Sequence, residues 1–178
     1  MQTIGGHQYS THVLGLPGGG FVTASSNKEI HFYDAKRVLV KKVVSAHTHV
    51  VKKIVFDAVN DRVISAGNDG WIKTWTRTGV PVGAWQAHFT GTYANGQSHD
   101  PFILALAFNP VTAEIVSGGE DRTVRIWTAD GTLKQAISFP GSISSVKGMC
   151  NGDVIIGCAD RCVYHGHLFI TISIFLCS

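Results

Sequence analysis

Three similar segments recur along the chain, and this repetition limits the possible folds more than any other feature. Each segment ends in an aromatic residue, preceded six positions earlier by an aspartate or asparagine and ten positions earlier by a serine or threonine. The aromatic residues are Tyr33, Trp75 and Trp127, so the intervals between them are 42 and 52 residues. A repeat of about 40–45 residues accommodates one sheet of four short strands.

The longer second interval comes from one local insertion. His47 precedes Asp69 by 22 residues, whereas His88 precedes Asp121 by 33 residues. The additional residues lie in the segment 89–101, which is rich in glycine, asparagine and serine, the residues of turns. We therefore predict a long loop after His88 within an otherwise regular repeat.

The second and third repeats each contain four short apolar runs separated by turn residues. The predicted strands are Val50–Phe56, Arg62–Ala66, Trp71–Thr76, Val82–Gln86, Phe102–Phe108, Glu114–Ser117, Thr123–Thr128 and Leu133–Ser138. Charged residues make up only 15% of the chain, which also has 20 glycines, a composition typical of short strands joined by tight turns. No long run has helical periodicity, so the fold class predicted is all-β.

The segment 117–127, with the sequence SGGEDRTVRIW, resembles the consensus of WD repeats. The chain is therefore identified as similar to the WD-repeat (WD40) β-propellers, and this resemblance implies a propeller of about four blades. The predicted blades are approximately 1–40, 41–82, 83–134 and 135–165. Families of this kind usually have seven blades, so the resemblance implies part of a seven-bladed propeller, and we expect an open arc to self-associate.

The resemblance also implies a hydrogen-bonded tetrad of histidine, serine, aspartate and tryptophan in each blade. Two sets are complete and one has threonine, asparagine and tyrosine as replacements: His47, Ser65, Asp69 and Trp75; His88, Ser117, Asp121 and Trp127; His7, Thr23, Asn27 and Tyr33. Such a set would satisfy every buried polar group in it, which is the condition for burying them.

A structural role for these residues is favoured over a catalytic one. Serine, histidine and aspartate also make up a nucleophilic triad, but a triad occurs once in an enzyme, whereas this set recurs. The pairs His47/His49 and His165/His167 would share a face if they lay on strands, yet no histidine or cysteine cluster has the spacing of a metal site. We expect no enzyme activity, no metal, no cofactor and no small-molecule substrate.

The fourth repeat has a narrower resemblance. Residues 139–164 include Phe139-Pro140, an Asn151-Gly152-Asp153 turn and Ala159-Asp160, and they are similar to a late propeller repeat of the phospholipase A-2-activating proteins. Propellers of that family are ubiquitin-binding modules, so the resemblance implies a protein-interaction scaffold that binds ubiquitin in ubiquitin-dependent protein turnover. The alternative is a WD-repeat subunit of another complex, in trafficking, RNA processing or signalling.

The residues 166–178 form an apolar tail unlike the preceding repeats. One interpretation is a buried fourth strand of the last blade. The other, which we favour from the sequence, is a truncated or misread end of the gene product.

A partner would bind on the propeller face that carries the tetrad turns. By analogy among the repeats, six residues are expected on this face: Trp71, His49, Lys28, Arg122, Arg161 and Tyr93. Trp71 is the leading candidate because tryptophan is enriched at binding hot spots, although it could instead pack on the neighbouring blade. Tyr93 lies in the inserted loop.

Charge and cysteine content give expectations about location. The net charge of +3 is too small to predict nucleic-acid binding, and residues 1–10 contain no apolar signal-peptide core. The four cysteines, at positions 150, 158, 162 and 177, have no disulfide-framework pattern, and Cys158 and Cys162 are interpreted as core thiols. We expect a cytoplasmic and also nuclear protein with no membrane association.

Overall fold

The computed structural model describes residues 9–167 and 171–177, with side chains described as far as Gly166. The described residues form strands and turns without a helix. The strands are β1 Ser10–Gly15, β2 Phe21–Ser25, β3 Ile30–Tyr33, β4 Leu39–Val43, β5 Val51–Asp57, β6 Arg62–Gly67, β7 Trp71–Thr76, β8 Pro81–Gln86, β9 Gly91–Thr92, β10 Ser98–His99, β11 Ile103–Asn109, β12 Glu114–Gly119, β13 Thr123–Trp127, β14 Leu133–Ser138, β15 Ile143–Gly148, β16 Asp153–Cys158, β17 Cys162–His167 and β18 Thr171–Cys177.

Sixteen of these strands form four sheets of four, each in simple sequential order. The sheets are β1–β4, β5–β8, β11–β14 and β15–β18, and β9 and β10 form a separate hairpin in the inserted segment. Every neighbouring pair within a sheet is antiparallel. This confirms the all-β fold, and the eight strands predicted in the second and third repeats agree with the observed bounds within two residues.

The sheets pack face to face through three separate cores. Alternate residues of a strand point to opposite faces, so Val63 packs in the core shared with the first sheet while Ile64 packs in the core shared with the third. Phe32 contributes to the first of these cores, and Ile143 to the core between the third and fourth sheets. Each sheet is thereby buried against its neighbours, as in the blades of a propeller.

The first strands of the four sheets lie closest to a common axis. Residues of β1, β5, β11 and β15 line two adjoining cavities of about 130 and 330 Å³. These inner strands therefore surround an axial groove, to which all four sheets contribute.

The apolar tail forms β18, which pairs antiparallel with β17 and supplies the fourth strand of the fourth sheet. The pairing is the one that the fourth-strand interpretation expects, while the side chains of β18 lie outside the described set. Cys162 is disulfide-bonded, so the interpretation of this residue as a free core thiol is wrong. Cys158 is buried and free, as expected.

Candidate interaction surface

The second sheet brings His47, Ser65, Asp69 and Trp75 together. The ring of His47 is fully buried; its Nδ1 atom lies 3.0 Å from Asp69 Oδ1 and its Nε2 atom 2.8 Å from Ser65 Oγ. The indole Nε1–H of Trp75 donates to the same Ser65 oxygen at 2.9 Å. Both ring nitrogens of His47 and the hydroxyl of Ser65 therefore have hydrogen-bond partners in a site closed to solvent.

The third sheet repeats this arrangement with nearly the same distances. His88 Nδ1 lies 2.9 Å from Asp121 Oδ1, and His88 Nε2 lies 2.9 Å from Ser117 Oγ. Trp127 Nε1 donates to Ser117 Oγ at 3.0 Å. The inserted segment between His88 and Asp121 leaves the tetrad geometry unchanged.

Both tetrad carboxylates have a lowered pKa. Burial alone would raise the pKa of Asp69, but its hydrogen bond and attraction to His47, together with the backbone N–H groups of Thr48 and Trp71, lower it to about 2. Burial likewise opposes ionisation of Asp121, and the bonds from His88 and Thr123 lower its pKa. Each carboxylate is therefore ionised at neutral pH and holds the turn in which it lies.

The structure describes three of the four residues predicted for the set in the first sheet. His7 lies outside the described residues, Asn27 is exposed, and Thr23 and Tyr33 are buried. The Tyr33 hydroxyl lies 3.4 Å from Nδ1 of His31, a residue that the repeat pattern did not single out.

A buried polar cluster extends from this point. His31 Nε2 lies 3.1 Å from Glu29, which forms an ion pair of 2.9 Å with Lys42. Sequence reasoning missed the cluster, although a signal was present: Glu29 and His31 alternate with the apolar Ile30 and Phe32, so both point to one face of the sheet.

The turns between the second and third strands of the four sheets share one backbone conformation. The residue after each asparagine or aspartate has a positive φ: 71° at Lys28, 78° at Gly70, 61° at Arg122 and 69° at Arg161. This left-handed region favours glycine, yet three of the four positions carry a cationic side chain. Because these turns are equivalent in sheets packed side by side, they lie at the same end of the arc.

Trp71 follows one of these turns and is partly open to solvent. Its backbone N–H donates to Asp69 Oδ1 at 3.2 Å, and its side chain is 37% exposed and outside the three cores. His49 is exposed in the segment that leads from His47 to β5, at the same end. An exposed indole fixed by its own backbone next to a tetrad aspartate is suited to contact a partner.

Tyr93 anchors the inserted segment over the turn of the third sheet. The guanidinium of Arg122 lies 3.6 Å from the centre of the Tyr93 ring, and the Tyr93 hydroxyl donates to the carbonyl of Glu120. The ring of His99 packs on Tyr93 with 4.8 Å between ring centres. The structure thus joins two of the sequence-predicted residues, Arg122 and Tyr93, in a contact that the repeat spacing could not specify.

The described residues contain no group of three or more histidine, cysteine, aspartate or glutamate side chains able to hold a metal ion. His47 and His49 lie in a turn, so the same-face geometry expected of a strand does not apply to them. His165 lies on β17, where its Nε2 atom is 2.9 Å from Asp153, and the side chain of His167 is outside the described set.

Within the described ranges, no helix is long and apolar enough to cross a membrane.

Comparison with known families identifies the repeats. Residues 39–76 and 86–128 match the family described as WD40: WD domain, G-beta repeat. These two segments contain the two complete tetrads. The chain therefore carries WD40 repeats in a β-propeller fold, as the sequence predicted, and propellers of this kind are generally non-enzymatic scaffolds.

Two curated relatives differ in their named roles. The chain is 34% identical over 123 residues to the ubiquitin homeostasis protein lub1 of Schizosaccharomyces pombe, a match that covers 68% of the chain and 15% of the relative. It is 26% identical over 141 residues to the mouse WD repeat and HMG-box DNA-binding protein 1, covering 76% of the chain and 12% of that protein. The chain thus spans a small part of each relative.

The fold of this chain is similar to that of a solved WD40 propeller. The WD40 β-propeller domain of Doa1 superposes with a TM-score of 0.72 and 31% sequence identity, over 92% of this chain and 50% of that one. The chain therefore spans about half the length of this propeller chain.

Proposed function

We propose that this chain is a protein-interaction scaffold that binds ubiquitin in ubiquitin-dependent protein turnover. The contact surface, here called the turn face, consists of His49, Trp71, Tyr93 and the cationic turn residues Lys28, Arg122 and Arg161. The observation that carries the proposal is the partly exposed Trp71 beside the Asp69 turn. The likeness to lub1, itself named for ubiquitin homeostasis, supports ubiquitin as the partner.

The chemistry of the turn face supports an interaction with a protein surface that combines an apolar patch with polar surroundings. Trp71 offers apolar area with an N–H donor, and aromatic and arginine side chains are enriched at interface hot spots. The two tetrads hold the Asp69 and Asp121 turns in place, so little ordering of these turns is required when a partner binds. The hydrogen-bonded histidines and serines of the tetrads are buried beneath the surface and contribute rigidity to it.

The alternative proposal is a WD-repeat subunit of a different complex, in trafficking, RNA processing or signalling. The mouse relative is named for DNA binding and not for ubiquitin, so similarity to this chain is not restricted to proteins named for ubiquitin. For the same reason, the sequence-based exclusion of nucleic acid stays a prediction. Cytoplasmic and nuclear location likewise stays a prediction from the cysteine usage.

A titration of ¹⁵N-labelled ubiquitin with this chain tests the proposal. We expect saturable chemical-shift changes confined to the apolar surface patch of ubiquitin. Trp71→Ala should weaken binding by at least about tenfold, since truncation of a hot-spot residue costs about 2 kcal/mol. Arg122→Ala should weaken it as well, because it removes both a cation and the support of Tyr93.

Two control variants lie at the opposite end of the sheets. Val111→Ala removes apolar area from an exposed residue in the β11–β12 turn, and Arg37→Ala removes an exposed arginine with a similar φ of 66° in the β3–β4 turn. Both should bind ubiquitin like the unmodified chain. Unchanged ubiquitin spectra with a folded sample would contradict ubiquitin binding and favour the alternative complex.

A further inference from the structure

The axial groove contains a cluster of hydrogen-bond donors contributed by three different sheets. The smaller cavity, of about 130 Å³, is lined by His12 of β1, Lys53 of β5, and Ser144 and Ser145 of β15. Residues of β5, β11 and β15 complete the wall with apolar side chains, namely Val55, Leu106 and Val146. Lysine, imidazole and hydroxyl groups converge here, while no carboxylate lines the cavity.

Lys53 has no acidic partner among the described residues. It is half-buried, whereas its neighbour Lys52 is exposed, and the ion pairs of the described side chains do not include it. A cation beside an apolar wall loses part of its hydration, which costs free energy. An anion bound next to the cation offsets this cost by direct attraction.

His12 adds a second donor to the same cavity. The backbone N–H of Ile54 lies 3.4 Å from its Nδ1 atom, so Nδ1 accepts and the neutral ring carries its hydrogen on Nε2. Burial and the nearby charge of Lys53 lower the pKa of His12. His12 and Lys53 lie side by side although they repel each other when both are charged, and a bound anion would reduce this repulsion.

We propose that this part of the axial groove is a binding site for a small phosphate-type anion, inorganic phosphate or a phosphate monoester. The Lys53 ammonium supplies the charge, and the His12 Nε2–H and the Ser145 hydroxyl donate hydrogen bonds to the oxygens. The Ser144 hydroxyl already donates to the Gly157 carbonyl at 3.1 Å, which leaves Ser145 as the freer donor of the two. The volume is about four times the ~30 Å³ that one water occupies in the liquid, enough for a tetrahedral oxyanion.

The surrounding side chains strengthen such a site. Val55, Leu106 and Val146 reduce the local dielectric, so the attraction between Lys53 and an anion is greater than at an open surface. Lys147 lines the adjoining cavity, which shares His12 with the first. An anion in the groove would contact β1, β5 and β15 together and hold their sheets in one arrangement.

The test uses the whole chain and inorganic phosphate, with the ring signals of His12 followed by NMR. We expect a saturable shift of these signals for the unmodified chain. Lys53→Met keeps the apolar stem and removes the charge, and it should weaken binding by about tenfold or more, the usual effect of losing a charge-assisted hydrogen bond. Lys52→Met makes the same chemical change at the exposed neighbouring lysine and should leave the dissociation constant unchanged.

Two further variants keep the result interpretable if Lys53→Met fails to fold. Lys53→Arg retains the charge and should bind phosphate, whereas Ser145→Ala should bind it more weakly. No saturable shift in the unmodified chain would overturn the proposal. Equal weakening by Lys52→Met and Lys53→Met would also overturn it, because that result indicates diffuse attraction between phosphate and the lysines.

Discussion

At the scale of single residues, the two tetrads combine a buried histidine with a carboxylate that stays ionised. The low pKa of about 2 at Asp69 and the lowered pKa of Asp121 mean that the folded state binds these protons more weakly than the unfolded state does. The sign of the pH effect follows: the carboxylates stabilise the fold above the unfolded-state pKa of about 3.9. This stabilisation is lost as the pH falls from that value towards 2.

We predict that acid destabilises this chain through the tetrads. Urea unfolding followed between pH 6 and pH 2.5 should show stability falling mainly below pH 4. Asp69 should account for about 2 kcal/mol of the change, because its pKa is about 2 in the folded state and about 3.9 in the unfolded state. Asp69→Asn should be less stable at pH 6 and should lose less on acidification. If the variant and the unmodified chain lose stability in parallel, the role assigned to Asp69 is wrong.

Much of this residue-level geometry follows from the sequence. His88 and Asp121 could be paired despite the insertion because the serine, aspartate and tryptophan keep their mutual spacing of four and six positions. Other contacts depend on how sheets and loops meet, which spacing within one repeat does not describe. The stacking of Arg122 on Tyr93 and the meeting of His12 with Lys53 are of this second kind.

At the scale of elements, the turn at Gly70 links the second and third sheets. Its carbonyl accepts the N–H groups of Ala87 at 2.7 Å and His88 at 3.1 Å, so the turn of one sheet positions the histidine of the next tetrad. A Cβ atom at Gly70 would lie 2.4 Å from the His88 carbonyl oxygen and 2.8 Å from Pro101. Glycine is required here both for the φ of 78° and for this close approach.

We predict that Gly70→Ala destabilises the chain far more than Gly96→Ala does. Gly96 has a similar φ of 83°, but a Cβ there meets nothing within 4 Å. The alanine at position 96 should cost about 1 kcal/mol, the usual strain of a left-handed residue. The alanine at position 70 adds a clash with backbone and should cost about 3 kcal/mol. Thermal unfolding of both variants measures the difference, and equal losses would contradict the assigned contact.

At the scale of the whole molecule, four sheets form an arc whose outer flanks have no neighbouring sheet among the described residues. On the fourth sheet, Val154 and Ile156 pack against the third sheet, so Ile155 points to the other flank. An apolar cavity of about 160 Å³ on this flank is lined by Met149, Ile155, Val163 and His165. Apolar sheet faces of this kind promote association.

We predict that the chain self-associates through this flank. Light scattering coupled to size-exclusion chromatography should show a mass that increases with concentration. Ile155→Lys should shift the distribution towards the monomer of 19.1 kDa, since it places a charge in the apolar cavity. Val111→Lys, at an exposed residue away from the flank, is the control and should leave association unchanged. A monomer that melts cooperatively at every concentration would contradict the prediction.

The central claim is that the turn face binds ubiquitin, and hydrogen exchange of this chain with and without ubiquitin tests it most directly. We expect ubiquitin to slow exchange of the amides that follow the turns between the second and third strands of the sheets, in particular those of Trp71, Thr123 and Cys162. The amides of Val111 and Thr112, in the β11–β12 turn at the opposite end, should exchange at the same rate in both samples. Protection at the β11–β12 turn with none at Trp71 would place ubiquitin at the end of the sheets opposite the turn face and contradict the proposed binding site.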